Sequence, residues 1–134
     1  MLGSKDQRFF DSVSAQIKNM NDDYLNNALA QMFQQAQAQF GDAVKAHWFH
    51  GSEICPGCGR EVDAMTYKGE NALSLNAFIY REQGVLIGYL LCGRCAGKIM
   101  RDAEKNPYQQ TALHSKIEEN LTEAYKQYLR TLDA

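Results

Sequence analysis

Cys55-Pro56-Gly57-Cys58-Gly59 and Cys92-Gly93-Arg94-Cys95 contain all four cysteines of this chain of 134 residues. Each stretch is a Cys-x-x-Cys pair, and residues 59–91 separate the two pairs. Two thiolates at this spacing reach one ion only where the backbone turns tightly, and the proline and glycines of the first stretch favour such a turn. The two stretches therefore decide the fold of the central part of the chain.

The paired cysteines predict one tetrahedral metal site, and its ligands would be Cys55, Cys58, Cys92 and Cys95. Four thiolates suit Zn²⁺ and fill its coordination shell, so no position is left for a catalytic water. We therefore expect structural zinc, although iron also binds four cysteines and spacing does not separate the two metals. A reducing cytosol disfavours two disulfides. A thioredoxin-like motif would need a βαβ unit, and none is evident.

Composition and charge exclude several classes of protein. Hydrophobic residues make up 45% of the chain and charged residues 22%, which fits one globular domain over residues 1–134. The net charge of -2 argues against a dedicated basic nucleic-acid binder. No apolar stretch approaches the roughly 18 residues of a membrane span, so no membrane contact is expected. The polar start lacks a secretory signal and predicts a cytoplasmic protein.

Residues 1–46 predict an N-terminal helical hairpin. A capping box of Ser4 and Gln7 begins its first helix. The apolar face of that helix is formed by Phe9, Val13, Ile17 and Met20. The apolar face of the second helix is formed by Leu25, Leu29, Met32, Ala36 and Phe40. Gly41 is expected to end the second helix.

Residues 47–105 predict a zinc module, and residues 106–134 a C-terminal helix. Three β-like runs cover 62–68, 73–81 and 85–91, and the last two are joined by a glycine-containing hairpin turn at 82–84. The second cysteine pair opens a helix over 95–105, and the last helix covers 108–132. The expected class is α+β. The terminal helices would pack together as a three-helix layer or pair with a second copy as a homodimer.

The first cysteine pair would form a tight turn, here called the knuckle. The order of knuckle, β-hairpin and helix resembles the treble-clef zinc finger, with the zinc ribbons as the near alternative. The resemblance covers about residues 53–105 and implies that the four cysteines are the ligands. It implies no single function, because treble clefs serve in protein docking, nucleic-acid binding and some nucleases. No histidine lies between His50 and His114, so the histidines of the treble-clef nucleases are missing.

Aromatic residues and histidines directly precede the first pair. His47 and His50 are candidate ligands of an alternative site, but four cysteines already complete one shell, so packing or hydrogen bonding is expected of them. Trp48 and Phe49 are expected in the core, with partner binding as the alternative.

A basic stripe is expected on the helix after the second pair. Its four cations recur at i, i+4, i+7 and i+11: Arg94, Lys98, Arg101 and Lys105. Arg60 beside the first pair adds to them, and phosphate contact is one interpretation. The other interpretation is a helix face that contacts only solvent. There, the negative charges of Asp102 and Glu104 reduce the positive potential of the stripe.

Sequence motifs of catalysis are missing, since the chain has no Walker loop, no Gly-x-Ser-x-Gly and no His-Glu-x-x-His. We therefore do not expect an enzyme. The leading hypothesis is a small zinc-binding protein that docks on another protein as an adaptor, regulator or inhibitor. The alternative is a nucleic-acid-binding regulator that uses the basic stripe.

Overall fold

A five-stranded sheet organises the chain in the computed structural model, which describes residues 12–17, 22–67, 69–106 and 110–133. The strands are β1 (Ser12–Ile17), β2 (Ala46–His50), β3 (Met65–Tyr67), β4 (Glu70–Tyr80) and β5 (Val85–Leu91). Their order is β1-β4-β5-β2, and β3 pairs with β4 outside this path. The helices are α1 (Asp22–Phe40), followed by a 3-10 turn (Gly41–Ala43), α2 (Gly93–Lys105) and α3 (Ala112–Asp133). The predicted α+β class is confirmed.

The hairpin of β4 and β5 is the part of the sheet that the sequence predicted best. Strand β5 has the predicted bounds, and the turn before it contains the predicted Gly84 at φ +64°. The backbone N–H of Gln83 donates to the carbonyl of Tyr80 at 3.2 Å, which closes the turn. Because Gly84 adopts a positive φ at no steric cost, the chain reverses here without strain.

The two faces of the sheet carry separate hydrophobic cores, and β5 contributes to both. Its odd-numbered residues belong to one core, which also contains Ile117 and Leu121 of α3. Leu86 of β5 belongs to the other core, together with Leu29 of α1. Side chains alternate between the faces of a strand. The sheet therefore lies between α1 on one side and α3 on the other.

Of the predicted N-terminal helical hairpin, the second helix is present as α1, but the first helix is wrong over the described residues. Residues 12–17 form strand β1, which pairs antiparallel with β4. Val13 and Ile17 are four residues apart, which fits a helix, but Ala15 between them completes a period-two alternation that fits a strand equally well. Pairing with β4 decides between the two periods. The capping box, Phe9 and Met20 lie outside the described residues.

The predicted three-helix layer is also wrong. Helix α1 packs with Leu73 and Leu75 of β4, whereas α3 packs on the opposite face. A sheet whose central strand is apolar on both faces buries them by accepting a helix on each side. Pairing of the helices with a second copy stays a prediction. None of the helices in the described part of the chain is both long enough and apolar enough to cross a membrane.

Strand β2 was not foreseen. It pairs parallel with β5, with Trp48 opposite Ile87, and lies at the end of the strand order. Trp48 packs against the core under α3, and Phe49 packs against the core under α1. The expectation that both aromatic residues serve packing therefore agrees with the structure.

We predict that Gly88→Ala lowers the free energy of unfolding by about 1–3 kcal/mol, because a close-packed core does not accept an extra methyl group. A Cβ at Gly88 would lie 2.7 Å from Cδ1 of Leu29. Leu29→Ala alone is expected to cost about 2–5 kcal/mol. The double variant should lose less free energy of unfolding than the two single variants added together, since the truncated side chain makes room for the methyl group. Urea unfolding of the parent chain, the two single variants and the double variant measures these free energies. Additive losses would contradict the close approach of Gly88 and Leu29.

Candidate metal centre

The parallel pairing of β2 with β5 brings the two cysteine pairs together. Strand β5 ends at Leu91, directly before Cys92, and β2 ends at His50, five positions before Cys55. Parallel strands end at the same edge of a sheet. Both pairs therefore leave the sheet at one edge, although residues 59–91 separate them along the chain.

The first pair forms a tight knuckle. An isolated antiparallel bridge between Ile54 and Glu61 closes its base. Within it, the N–H of Cys55 donates to the carbonyl of Arg60 at 2.7 Å, and the N–H of Gly59 donates to the carbonyl of Cys55 at 2.9 Å. Gly59 has φ +79°, which favours glycine at this position. These bonds fix the direction of both cysteine side chains.

The second pair begins helix α2. Cys92 is the N-cap residue, with ψ 161°, and its Sγ accepts a hydrogen bond from the N–H of Cys95 at 3.4 Å. The N–H of Gly57 donates to Sγ of Cys55 over the same distance, 3.4 Å. Sulfur atoms that accept backbone N–H groups at a helix N-terminus are stabilised as anions. In each pair, a backbone N–H group thus offsets part of the cost of ionising one cysteine.

The structure brings all four predicted ligands together. The four Sγ atoms lie within 4.8 Å of one another, and Sγ of Cys58 lies 3.5 Å from Sγ of Cys92. A tetrahedron with Zn–S bonds of 2.3 Å has sulfurs about 3.8 Å apart. All four cysteines are free. The cluster therefore has the dimensions and the donors to hold a metal ion, and its convergence on one point favours a shared cation over two separate disulfides.

The crowded thiols differ in their pKa values. Burial raises the pKa of Cys92 and, with further contributions from the neighbouring cysteines, that of Cys95. Burial also acts to raise the pKa of Cys58, but hydrogen bonds from the backbone of Arg60 and from the other cysteine side chains outweigh it, so this pKa is lowered. A cation among the sulfurs would offset the cost of burying the thiolates.

Two charged residues connect the knuckle to the start of α2, and the sequence did not predict this role. Nη1 of Arg60 lies 4.0 Å from Sγ of Cys92, and its Nη2 lies 3.7 Å from Oδ2 of Asp63. Oδ1 of Asp63 accepts the N–H of Gly93 at 2.7 Å. No local signal indicates this bond, because its two residues are 30 positions apart in the sequence.

Helix α3 covers the knuckle from the other side. A Cβ at Gly57 would lie 3.0 Å from Sγ of Cys95 and 3.1 Å from Cδ1 of Leu113. Nδ2 of Asn120 donates to the carbonyl of Pro56 at 2.7 Å. The knuckle is therefore packed between the second cysteine pair and α3, and a side chain at Gly57 would crowd both.

The other predicted site residues lie outside the sulfur cluster. The ring of His47 packs on Phe33 with centroids 4.9 Å apart, and that of His50 packs on Trp48 at 5.6 Å. Burial lowers the pKa of His50. The four cations of the basic stripe are exposed on α2: Arg94, Lys98, Arg101 and Lys105. Of these, Lys98 donates to Asp102 at 3.2 Å.

No family model, no curated protein and no solved structure matches this chain. The knuckle, the β4–β5 hairpin and α2 follow one another in the order that the treble-clef resemblance implies. The treble-clef type itself stays a prediction.

We predict that Asp63→Asn weakens zinc binding by about 10–100-fold, which is the usual effect of removing a carboxylate that orients metal ligands. The amide would lose the charge that faces Arg60 and weaken the bond to Gly93. Competition with a chromogenic chelator measures the affinity. The matched control is Glu61→Gln, which removes an exposed carboxylate two positions away. Equal affinities for the two variants would contradict the prediction.

Proposed function

We propose that this chain is a zinc-binding protein in which the metal is structural and that it docks on another protein as an adaptor, regulator or inhibitor. The observation that carries the metal assignment is the convergence of the four Sγ atoms. Four thiolates favour zinc and complete its tetrahedral shell, which supports a structural role. The proposal is accordingly of a binding protein rather than an enzyme.

Docking on a protein is supported by an aromatic surface beside the outer strand β2. We define this surface as Trp48, Tyr125, Tyr128 and Leu132. The ring of Trp48 stacks on that of Tyr128 with centroids 5.2 Å apart, and Tyr125 lies 5.3 Å from Trp48. Tyr128 is 39% exposed and Leu132 63% exposed. Tryptophan and tyrosine dominate binding energy at protein interfaces, and an apolar partner surface would bury this one.

Nucleic-acid binding is the second candidate, and the exposure of the basic stripe on α2 is the observation that favours it. Two contacts reduce the free positive charge near it. Lys98 pairs with Asp102, and Arg60 faces both Asp63 and the sulfur of Cys92. Nucleic-acid binders usually place a larger excess of cations, or stacking aromatic residues, along the bound strand. Protein docking is therefore the leading proposal.

The metal assignment predicts that the reduced chain binds one Zn²⁺ per molecule and that Co²⁺ in its place gives the absorption of a tetrahedral tetrathiolate. Acidification should release the metal, because protons compete for the thiolates that bind it. A chelator should destabilise the knuckle region first, detected as early hydrogen exchange around residues 53–63. Reduced chain purified without metal, or with an iron–sulfur spectrum, would contradict structural zinc.

The docking assignment predicts that the chain captures a partner protein from the source cells. The double variant Tyr128→Ala, Leu132→Ala should no longer capture this partner. The double variant Lys98→Glu, Arg101→Glu should still capture it. Thermal melts of both variants must show that each keeps its fold, because Tyr128→Ala removes the stacking on Trp48 and Lys98→Glu removes the ion pair with Asp102. Capture should also survive nuclease treatment. The reverse pattern, with nuclease-sensitive capture that the glutamate variant abolishes, would favour the nucleic-acid proposal.

A further inference from the structure

The four sulfur atoms of the metal centre are not equally accessible. Cys58 is exposed, whereas Cys55, Cys92 and Cys95 are buried. A reagent from solvent therefore meets one sulfur before the other three. Because oxidation of cysteine follows exposure and thiolate character, this asymmetry selects one residue of the cluster.

A cavity of about 350 Å³ opens beside Cys58. Its walls are formed by the first knuckle, the chain after β2 and helix α3. Polar groups of Ser52, Lys116 and Asn120 line it, together with Cys58 itself. A small polar oxidant fits this space and finds hydrogen-bonding partners there. Cys55 also lines the cavity but is only 1% exposed, so Cys58 is the cysteine of this wall that solvent reaches.

A second thiolate lies within reach of the exposed one. Sγ of Cys58 is 3.5 Å from Sγ of Cys92, and a disulfide needs the two sulfurs to approach to about 2.0 Å. Cys92 is fully buried, so it reacts with a solvent oxidant only through its neighbour. This arrangement places a residue that forms a sulfenic acid next to one that resolves it.

We propose that Cys58 is the site at which hydrogen peroxide oxidises this centre and that a Cys58–Cys92 disulfide then expels the metal. The inference rests on the proposed binding of zinc. The Cys58 thiolate attacks peroxide, so that an S–O bond forms, the O–O bond breaks and hydroxide leaves. The Cys92 thiolate then attacks the sulfur of Cys58, the S–O bond breaks and a second hydroxide leaves. The two thiolates lose two electrons, peroxide gains them, and two protons from solvent complete two waters.

Loss of two ligands has a structural consequence. The remaining sulfurs, of Cys55 and Cys95, do not complete a tetrahedral shell, and zinc is released. The knuckle is the surface on which α3 rests through Leu113 and the bond from Asn120 to Pro56. Peroxide therefore loosens the contact between the metal centre and the helix that carries part of the aromatic surface.

The test treats the reduced, zinc-loaded full chain with hydrogen peroxide. Zinc release is followed with a metallochromic dye, a sulfenic acid probe marks the first oxidised cysteine, and differential alkylation with mass spectrometry identifies the disulfide. We expect the probe to label Cys58 first and the thiols of Cys58 and Cys92 to disappear together. One zinc ion should be released per disulfide formed, and dithiothreitol with added zinc should restore the centre. First modification at another cysteine, or a different disulfide, would overturn the proposal.

One variant tests the role of exposure. Cys58→His keeps four ligands for zinc, since imidazole also binds it. We expect the zinc-loaded variant to release zinc to peroxide roughly tenfold more slowly than the parent chain, because the exposed sulfur is removed. Equal rates would contradict the proposal. The mapping on the parent chain does not depend on how the variant folds, and a parent chain that binds no zinc would instead refute the proposed function.

Discussion

The meeting of four sulfur atoms at one edge of the sheet is the constraint on which the rest of this structure depends. The Sγ atoms lie within 4.8 Å of one another because β2 and β5 run parallel and end side by side. Each pair also fixes a further element, since Cys92 begins α2 and the first knuckle supports α3. One cation bound there would join the sheet to two of the three described helices.

Electrostatics favours a cation at such a centre. Three of the four cysteines are buried, and burial raises the pKa of Cys92 and Cys95, so the protein environment alone opposes their ionisation. The guanidinium of Arg60 and the N–H groups at the start of α2 offset part of this cost. A divalent cation offsets much more, because it contacts all four sulfurs directly. Binding of a metal at this cluster would therefore also stabilise the fold.

The sequence predicted those features that local chemistry determines. The knuckle and the ligand set follow from cysteine spacing, β5 from a short apolar run before the second pair, and α1 from its apolar periodicity up to Gly41. The errors occurred where a local pattern fits two structures. Residues 12–17 satisfy both a helical and an alternating period, and only pairing with β4 makes them a strand. Strand β2 and the bond from Asp63 to Gly93 depend on contacts between distant parts of the chain, which no local pattern encodes.

Helix α3 connects the metal centre to the surface proposed for docking. It has 22 residues, and at 1.5 Å per residue it is about 33 Å long. Its first half packs on the knuckle through Leu113 and Ile117, and its second half carries Tyr125 and Tyr128 against Trp48 of β2. The same helix therefore contacts the knuckle at one end and β2 at the other, so a displacement at the knuckle would reach β2 through α3. The proposed structural metal would thus help to hold the aromatic surface in place, and this contact path would connect it to the proposed docking function.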